Sequence, residues 1–295
     1  MAQIRTDLAL ECGGLEQGKK VAGAEVHEEE LEGFALTEVR ITDPTGARAL
    51  GKPEGSYLTL DLGGYRAMGT DALPRAVAAV GACIERLLPD KSGAALVAGL
   101  GNRAVTPDAV GPRCADHVLV TRHLTHADPQ NFGSFYPVAA LAAGVLGTTG
   151  MESGEVVRAV AEQIKPACVV AVDALASRSL RRVCRTIQLA DTGITPGSGV
   201  GNARAALNAE TLGVPVIAVG VPTVVDAATL TCDVLAEAGK GELNPAALQG
   251  AGDGLIVTPK DIDALMVKSA KILGYAIDMA LHTHLSVEDI ESLLS

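Results

Sequence analysis

Three stretches of the chain are apolar almost without interruption: residues 94–99 (AALVAG), 168–173 (CVVAVD) and 214–220 (VPVIAVG). Runs of this length with no polar alternation are what strands buried on both faces require, and they predict parallel strands covered by helices. Val118, Leu119 and Val120 suggest a shorter fourth strand. Pro215 has no N–H to give to a ladder, which places it at the start of its strand. Between these runs the period changes. Leu73, Val77, Val80, Ile84 and Leu87 are spaced 4, 3, 4, 3, one face of an amphipathic helix. Val156, Val157, Val160 and Ile164 share a second helical face, and residues 175–183 predict a third helix. Thr258-Pro259-Lys260-Asp261 offers an N-cap, a proline at the first helical position and an acid in the first turn. Ile262, Leu265, Met266, Leu273, Ile277 and Leu281 carry that helix onward, and Ser286 with Asp289 opens a short last one.

The first 70 residues follow another rule. Residues 34–41 and 57–62 alternate apolar with polar, as a half-exposed antiparallel pair does. Glu28-Glu29-Glu30 reads as a solvated face. Residues 239–254 read as an irregular loop. With no internal repeat and no linker, the βαβα alternation predicts a single α/β domain, its mostly parallel sheet sandwiched between helices.

Composition narrows the functional classes. Aromatic residues are 2% of the chain against 48% hydrophobic overall, so Ala, Val, Leu and Ile must build the core. The same scarcity argues against single-stranded nucleic-acid binding, which uses aromatic stacking platforms. A formal net charge of −11 lacks the basic stripe of a nucleic-acid-coating protein. No apolar run approaches the ~20 residues of a membrane span, and the first residues lack an apolar signal region. Cys12, Cys83, Cys114, Cys168, Cys184 and Cys232 are scattered without a C-x-x-C pair, which reads as reduced thiols of a cytoplasmic protein.

Sites in open α/β sheets form beyond the carboxyl ends of the strands. The first apolar run continues as GLGNRAVTPDAVGP, reaching Asp108, and the second ends at Asp173. If the two strands are neighbours, both carboxyls face one crevice. The first charge then raises the second pKa, so that one group stays protonated while the other activates water. Local roles compete: Asp108 after Thr-Pro fits a turn or a cap, and Asp173 fits the N-cap of the helix predicted next. Residues 191–202 (DTGITPGSGVGN) hold four glycines between Gly193 and Gly201 and suggest a loop shaping a cleft, with Gly197, Ser198, Gly199 and nearby Arg178 as candidate cleft elements. Two other chemistries stay open. Gly99 and Gly101 imitate a dinucleotide fingerprint, as in a nucleotide-binding oxidoreductase, and His123 with Asp108 and Asp173 would suit a metal.

These segments together resemble the spore germination proteases, the endopeptidases that degrade small acid-soluble spore proteins when endospores germinate. The likeness covers most of the chain and is carried by GLGNRAVTPDAVGP, GTTGME, VAVDALASRS, IQLADTGITPGSGVGN and TLGVPVIAVGVPTVVDA. It implies an atypical aspartic protease whose two essential aspartates match Asp108 and Asp173, with no cofactor. It also implies a fold like that of hydrogenase maturation endopeptidases. Those relatives bind nickel through acids and a histidine, which is the source of a metal-dependent alternative. The resemblance further implies a self-processing zymogen. Arg5-Thr6-Asp7-Leu8-Ala9-Leu10-Glu11 matches the substrates' motif of an acid, an apolar residue, Ala, any residue and Glu. The expected cut is therefore Asp7–Leu8, with residues 1–7 as propeptide and 8–295 as the peptidase domain. Small acid-soluble spore proteins as substrates, a homotetramer and residence in the spore core follow from the same likeness, with neither nucleic acid nor membrane as a direct partner. The segment between Asp226 and Thr258 is shorter than in the longer members of that family.

Overall fold

The computed structural model describes residues 6–89, 93–201, 204–239 and 255–295. The strands are β1 (Ala24–Leu31), β2 (Phe34–Ile41), β3 (Gly55–Asp61), β4 (Ala95–Leu100), β5 (Val138–Gly144), β6 (Cys168–Ser177), β7 (Thr186–Ala190), β8 (Val216–Asp226) and β9 (Ile256–Val257). They form one sheet in the order β1-β2-β3-β7-β8-β6-β4-β5, with β9 paired to β8. The neighbours β8, β6, β4 and β5 are parallel, while β1, β2, β3 and β7 join through antiparallel ladders. The three apolar runs are thus the three adjacent strands β4, β6 and β8, and Pro215 lies immediately before β8. The pair foreseen at residues 34–41 and 57–62 is the antiparallel ladder of β2 and β3, but β3 is buried on both faces from Tyr57 to Leu60 rather than half-exposed.

Eleven helices are described: α1 (Pro44–Leu50), α2 (Ala72–Leu87), α3 (Val110–Ala115), α4 (Arg122–Ala127), α5 (Pro129–Phe132), α6 (Leu146–Thr149), α7 (Ser153–Ile164), α8 (Ala209–Leu212), α9 (Ala227–Glu237), α10 (Ile262–Leu281) and α11 (Val287–Leu294). One face of the sheet buries Val97, Val170, Val172, Ile217 and Val219 against α2, α3 and α10. On the other face, Leu96, Ala98, Val169 and Ala171 meet Val157 and Ala161 of α7. The antiparallel half of that face is covered by Ala9, Leu10 and Leu15 of the N-terminal segment, which pack on Val39, Ile41, Tyr57 and Ala218.

Three further expectations are corrected. Residues 175–183 do not form a helix: β6 continues to Ser177, because its ladder with β8 runs on to Ser177↔Val225, and the chain then turns. This also removes the reading of Asp173 as an N-cap. Residues 118–120 are not a strand. The fourth parallel strand is β5, whose alanine-rich VAALAAG carries little β signature. Thr258 does not cap α10, which begins at Ile262; its hydroxyl donates to the Thr223 carbonyl at 2.8 Å. His282 is buried and accepts Tyr136 N–H on Nδ1. The Glu28–Glu30 run lies on the edge strand β1, largely exposed as foreseen. The loop expected at 239–254 falls, from residue 240 on, outside the described residues. No disulfide joins the six cysteines; Cys83, Cys114 and Cys168 are buried and the others half-buried.

Candidate active site

The parallel strands β4, β5, β6 and β8 all point their carboxyl ends at one cleft of about 360 Å³. After β4 the chain turns sharply at Gly101 (φ +104°), where a Cβ would meet the Asp108 carbonyl oxygen at 2.2 Å. Asp108 ends a short 3-10 turn, Thr106–Asp108, that brings its carboxylate back over the strand end. Its Oδ2 accepts Asn102 N–H at 2.7 Å. The turn is tied down from outside: Thr106 Oγ1 donates to Asp263 Oδ1 of α10 at 3.0 Å, and Arg103 donates to the Pro112 carbonyl at 2.7 Å. Asp173 lies within β6, paired with Gly220, and is 5% exposed. Its Oδ1 accepts its neighbour's Ala174 N–H at 2.9 Å.

Both carboxyls line the cleft. Burial pushes the Asp108 carboxyl above the usual range, against the Asn102 N–H, which favours the charged form. Asp173 is driven well above that range, first by burial and next by the charge of Asp108, with Asp7 adding a smaller push. A pair with pKa values raised in this unequal way loses its protons one after the other, and between the two steps it holds one. It can give a proton to one atom and take one from another.

The N-terminal segment runs into the same cleft. Asp7 N–H donates to the Ala176 carbonyl at 2.9 Å, at the end of β6. The Asp7 carboxylate accepts Ala176 N–H at 2.8 Å and the Ser198 hydroxyl at 2.6 Å. Gly199 leaves the room for it, since a Cβ there would lie 2.1 Å from Asp7 Oδ2. Leu8 and Ala9 are fully buried. Glu11, also buried, is held by Ser177 Oγ (2.7 Å), Arg178 N–H (2.7 Å) and Ser179 N–H (3.2 Å), with the Arg182 guanidinium at 3.4 Å. Two acids four residues apart are thus each read by a set of fixed donors.

The other candidates divide. Gly197 and Gly199 line the cleft, and Ser198 holds Asp7. Arg178 contributes its backbone N–H to Glu11, while its guanidinium turns to Asp233 at 3.8 Å and does not line the cleft. His123 is exposed on α4 and does not line the cleft, so it is not brought to Asp108 and Asp173. Among the described residues no three His, Cys, Asp or Glu side chains group so as to hold a metal. The dinucleotide reading also meets an obstacle. A Cβ at Gly99 would lie 2.2 Å from the Gly111 carbonyl, so this glycine serves strand–helix contact, and the Asn102 N–H that would face a phosphate is bonded to Asp108. Sequence reasoning missed Thr223, whose buried hydroxyl has no partner among the described residues and which lines the cleft, and the Arg204–Glu152 pair at 2.6 Å on its rim. It also missed Lys52 and Gln188. Glu152 and Gln188 stand inside segments that carry the family likeness; Lys52 has no such signal.

An acid pair that meets a docked N-terminal segment, with Leu8 extended and Ala9–Glu11 in a 3-10 turn, at the end of a parallel sheet fits a peptidase. The family model described as "Germination protease" matches residues 6–238. The germination protease of Caldanaerobacter subterraneus subsp. tengcongensis is 41% identical over 317 aligned residues, spanning 99% of this chain and 98% of that one. That of Clostridium perfringens is 41% identical over 326, spanning both chains in full. The chain belongs to the germination protease family and is a peptidase. Among solved structures, a [NiFe] hydrogenase maturation protease, HycI from Thermococcus kodakarensis, is similar with a TM-score of 0.37 and 17% identity, over 66% of this chain and 98% of that one. No helix among the described residues is long and apolar enough to cross a membrane.

Proposed function

We propose that this chain is an aspartic-type endopeptidase, made as a zymogen that cuts itself between Asp7 and Leu8, and that its substrates are small acid-soluble spore proteins in the spore core. The observation that carries the reading is the docking of Asp7 at the cleft that Asp108 and Asp173 line, with both acids of the motif, Asp7 and Glu11, bound by fixed donors. A segment cut by its own cleft must imitate the substrate, and residues 7–11 carry the acid–apolar–Ala–x–Glu pattern. Asp173, the more deeply buried and more strongly shifted carboxyl, holds the shared proton; Asp108 is the base that takes a proton from water. The family likeness extends the proposal to a homotetramer, which the native mass tests.

The test is intact mass after incubation of the full chain from mildly acidic to neutral pH. The wild type is expected to lose residues 1–7 and Asp173→Asn to stay whole. A wild type that stays uncut, or a variant that cuts at the wild-type rate, overturns the assignment. A small acid-soluble spore protein added to the processed enzyme should then be cut after the acid of its own motif.

A further inference from the structure

The carbonyl oxygen of Asp7 is held by two donors from outside the acid pair. Lys52 Nζ donates to it at 2.9 Å and Gln188 Nε2 at 3.0 Å. The other atom of the Gln188 amide, Oε1, accepts Ala9 N–H at 2.7 Å. One side chain therefore grips the backbone on both sides of the Asp7–Leu8 bond. Gln188 is buried in the middle of β7, paired with Gly220 of β8, so the sheet fixes its position. Lys52 follows α1, and its N–H is tied to the Ala47 carbonyl of that helix at 3.2 Å. Asp7 and Leu175 are shared walls of two cavities: the cleft of the acid pair, and a second of about 230 Å³ lined by Lys52, Gln188 and Ser198. The carbonyl oxygen meets the second set, and the carboxyls line the first.

An amide donor alone would anchor a neutral carbonyl. A positive charge aimed at the same oxygen gains most when that oxygen becomes negative. We infer that Lys52 and Gln188 are the oxyanion-binding pair of this peptidase; the inference rests on the proposed cut at Asp7–Leu8. Water oxygen bonds to the Asp7 carbonyl carbon and gives one proton to the ionised carboxylate. The carbonyl π electrons move onto the oxygen between Lys52 and Gln188. That pair then re-forms the C=O as the C–N bond breaks, and the Leu8 nitrogen takes the proton of the other carboxyl. The products are a free carboxyl on Asp7 and a free amine on Leu8, and the acid pair again holds one proton.

The experiment follows the first-order loss of residues 1–7 by intact mass in full-length wild type, Lys52→Met, Lys52→Arg and Gln188→Leu. Docking is read separately, as amide exchange protection of residues 8–12, in the Asp173→Asn background where the chain stays whole. Lys52→Met is expected to slow cutting about 10²–10³-fold, the usual loss for one oxyanion donor, with protection retained. Lys52→Arg should recover part of the rate, and Gln188→Leu should lose both rate and the protection of Ala9. Wild-type cutting in Lys52→Met, or a fall in its rate matched by an equal fall in protection, overturns the inference and leaves Lys52 an anchor. A wild type that never cuts overturns the Asp7–Leu8 assignment and this inference together, whereas a cutting wild type with unimpaired variants overturns this one alone.

Discussion

Asp108 and Asp173 differ in how each is solvated, and that difference sets the expected pH dependence. Asp108 is half-buried and accepts Asn102 N–H, so it ionises first; Asp173 is 5% exposed and feels the charge of Asp108, so it ionises last. The rate of self-cleavage should therefore rise as pH passes the raised pKa of Asp108 and fall as pH passes the higher one of Asp173. A pH–rate profile reads this directly, and a rate still climbing on the alkaline side would contradict it. Asn at either position keeps the shape and removes the proton chemistry, so a loss of about 10²–10⁴ is expected with the fold intact by circular dichroism. Asp7 belongs to recognition. Asp7→Ala removes the bonds from Ala176 N–H and the Ser198 hydroxyl, each a charge-assisted bond of about 1.5–3 kcal/mol. At about 1.4 kcal/mol per tenfold, it should slow the cut at Leu8 by about 10²–10⁴-fold and leave the cleavage of an added substrate by the processed enzyme unchanged. Equal loss of both activities would assign Asp7 a different part.

At the scale of elements, the acid pair is held in place by close backbone contact between α3 and the strands. A Cβ on Gly111 would lie 2.3 Å from the Leu100 carbonyl and 2.4 Å from the Val172 carbonyl, in contact with both strands that lead to the aspartates. Both neighbours are backbone and cannot step aside. Gly111→Ala should cost at least about 1–3 kcal/mol, seen as a lower urea midpoint, and should lower the cutting rate by separating the carboxyls. The sequence made β4, β6 and β8 legible because strands buried on both faces are uniformly apolar, but it ended β6 at Asp173, whereas the strand runs on to Ser177 and Asp173 faces the cleft from within it. It misled at 175–183. There the continued pairing with β8 decides for strand, and no local pattern encodes a partner 45 or more residues away (Leu175↔Pro222, Ser177↔Val225). β7 escaped notice because TIQLA is five residues long, and Gln188 looks like an ordinary polar residue until the sheet sets it against the N-terminal segment. Lys52 was illegible for a plainer reason: it stands just past a short helix, and its role exists only once residue 7 arrives beside it.

For the molecule as a whole, the buried acids carry a cost that pH reveals. Asp278, fully buried in α10, has both oxygens on Leu119 N–H, yet burial still drives its carboxyl well above the usual range, as it does for Asp173. In the unfolded chain each ionises near about 3.9; in the folded chain each keeps its proton to higher pH. Above that point the folded state binds more protons, so these two groups make stability fall as pH rises, until the folded pKa is passed. Glu29, Asp43 and Asp289 act in the opposite direction. The Arg86 hydrogen bond lowers Glu29, backbone N–H groups of Gly46 and Thr45 lower Asp43, and Ser286 lowers Asp289, so each adds stability above its unfolded pKa that is lost on acidification. These three are on the surface, where screening makes such contributions small. The buried pair should therefore dominate on the neutral side. Asp173→Asn and Asp278→Asn each remove one titration, so the melting temperature of each variant relative to wild type should be higher at about pH 8 than at about pH 5. Any constant penalty for burying an amide cancels in that comparison. An equal difference at both values would mean that these carboxyls ionise alike in the folded and unfolded chain, and the unequal acid pair on which the proposed chemistry depends would lose its physical basis.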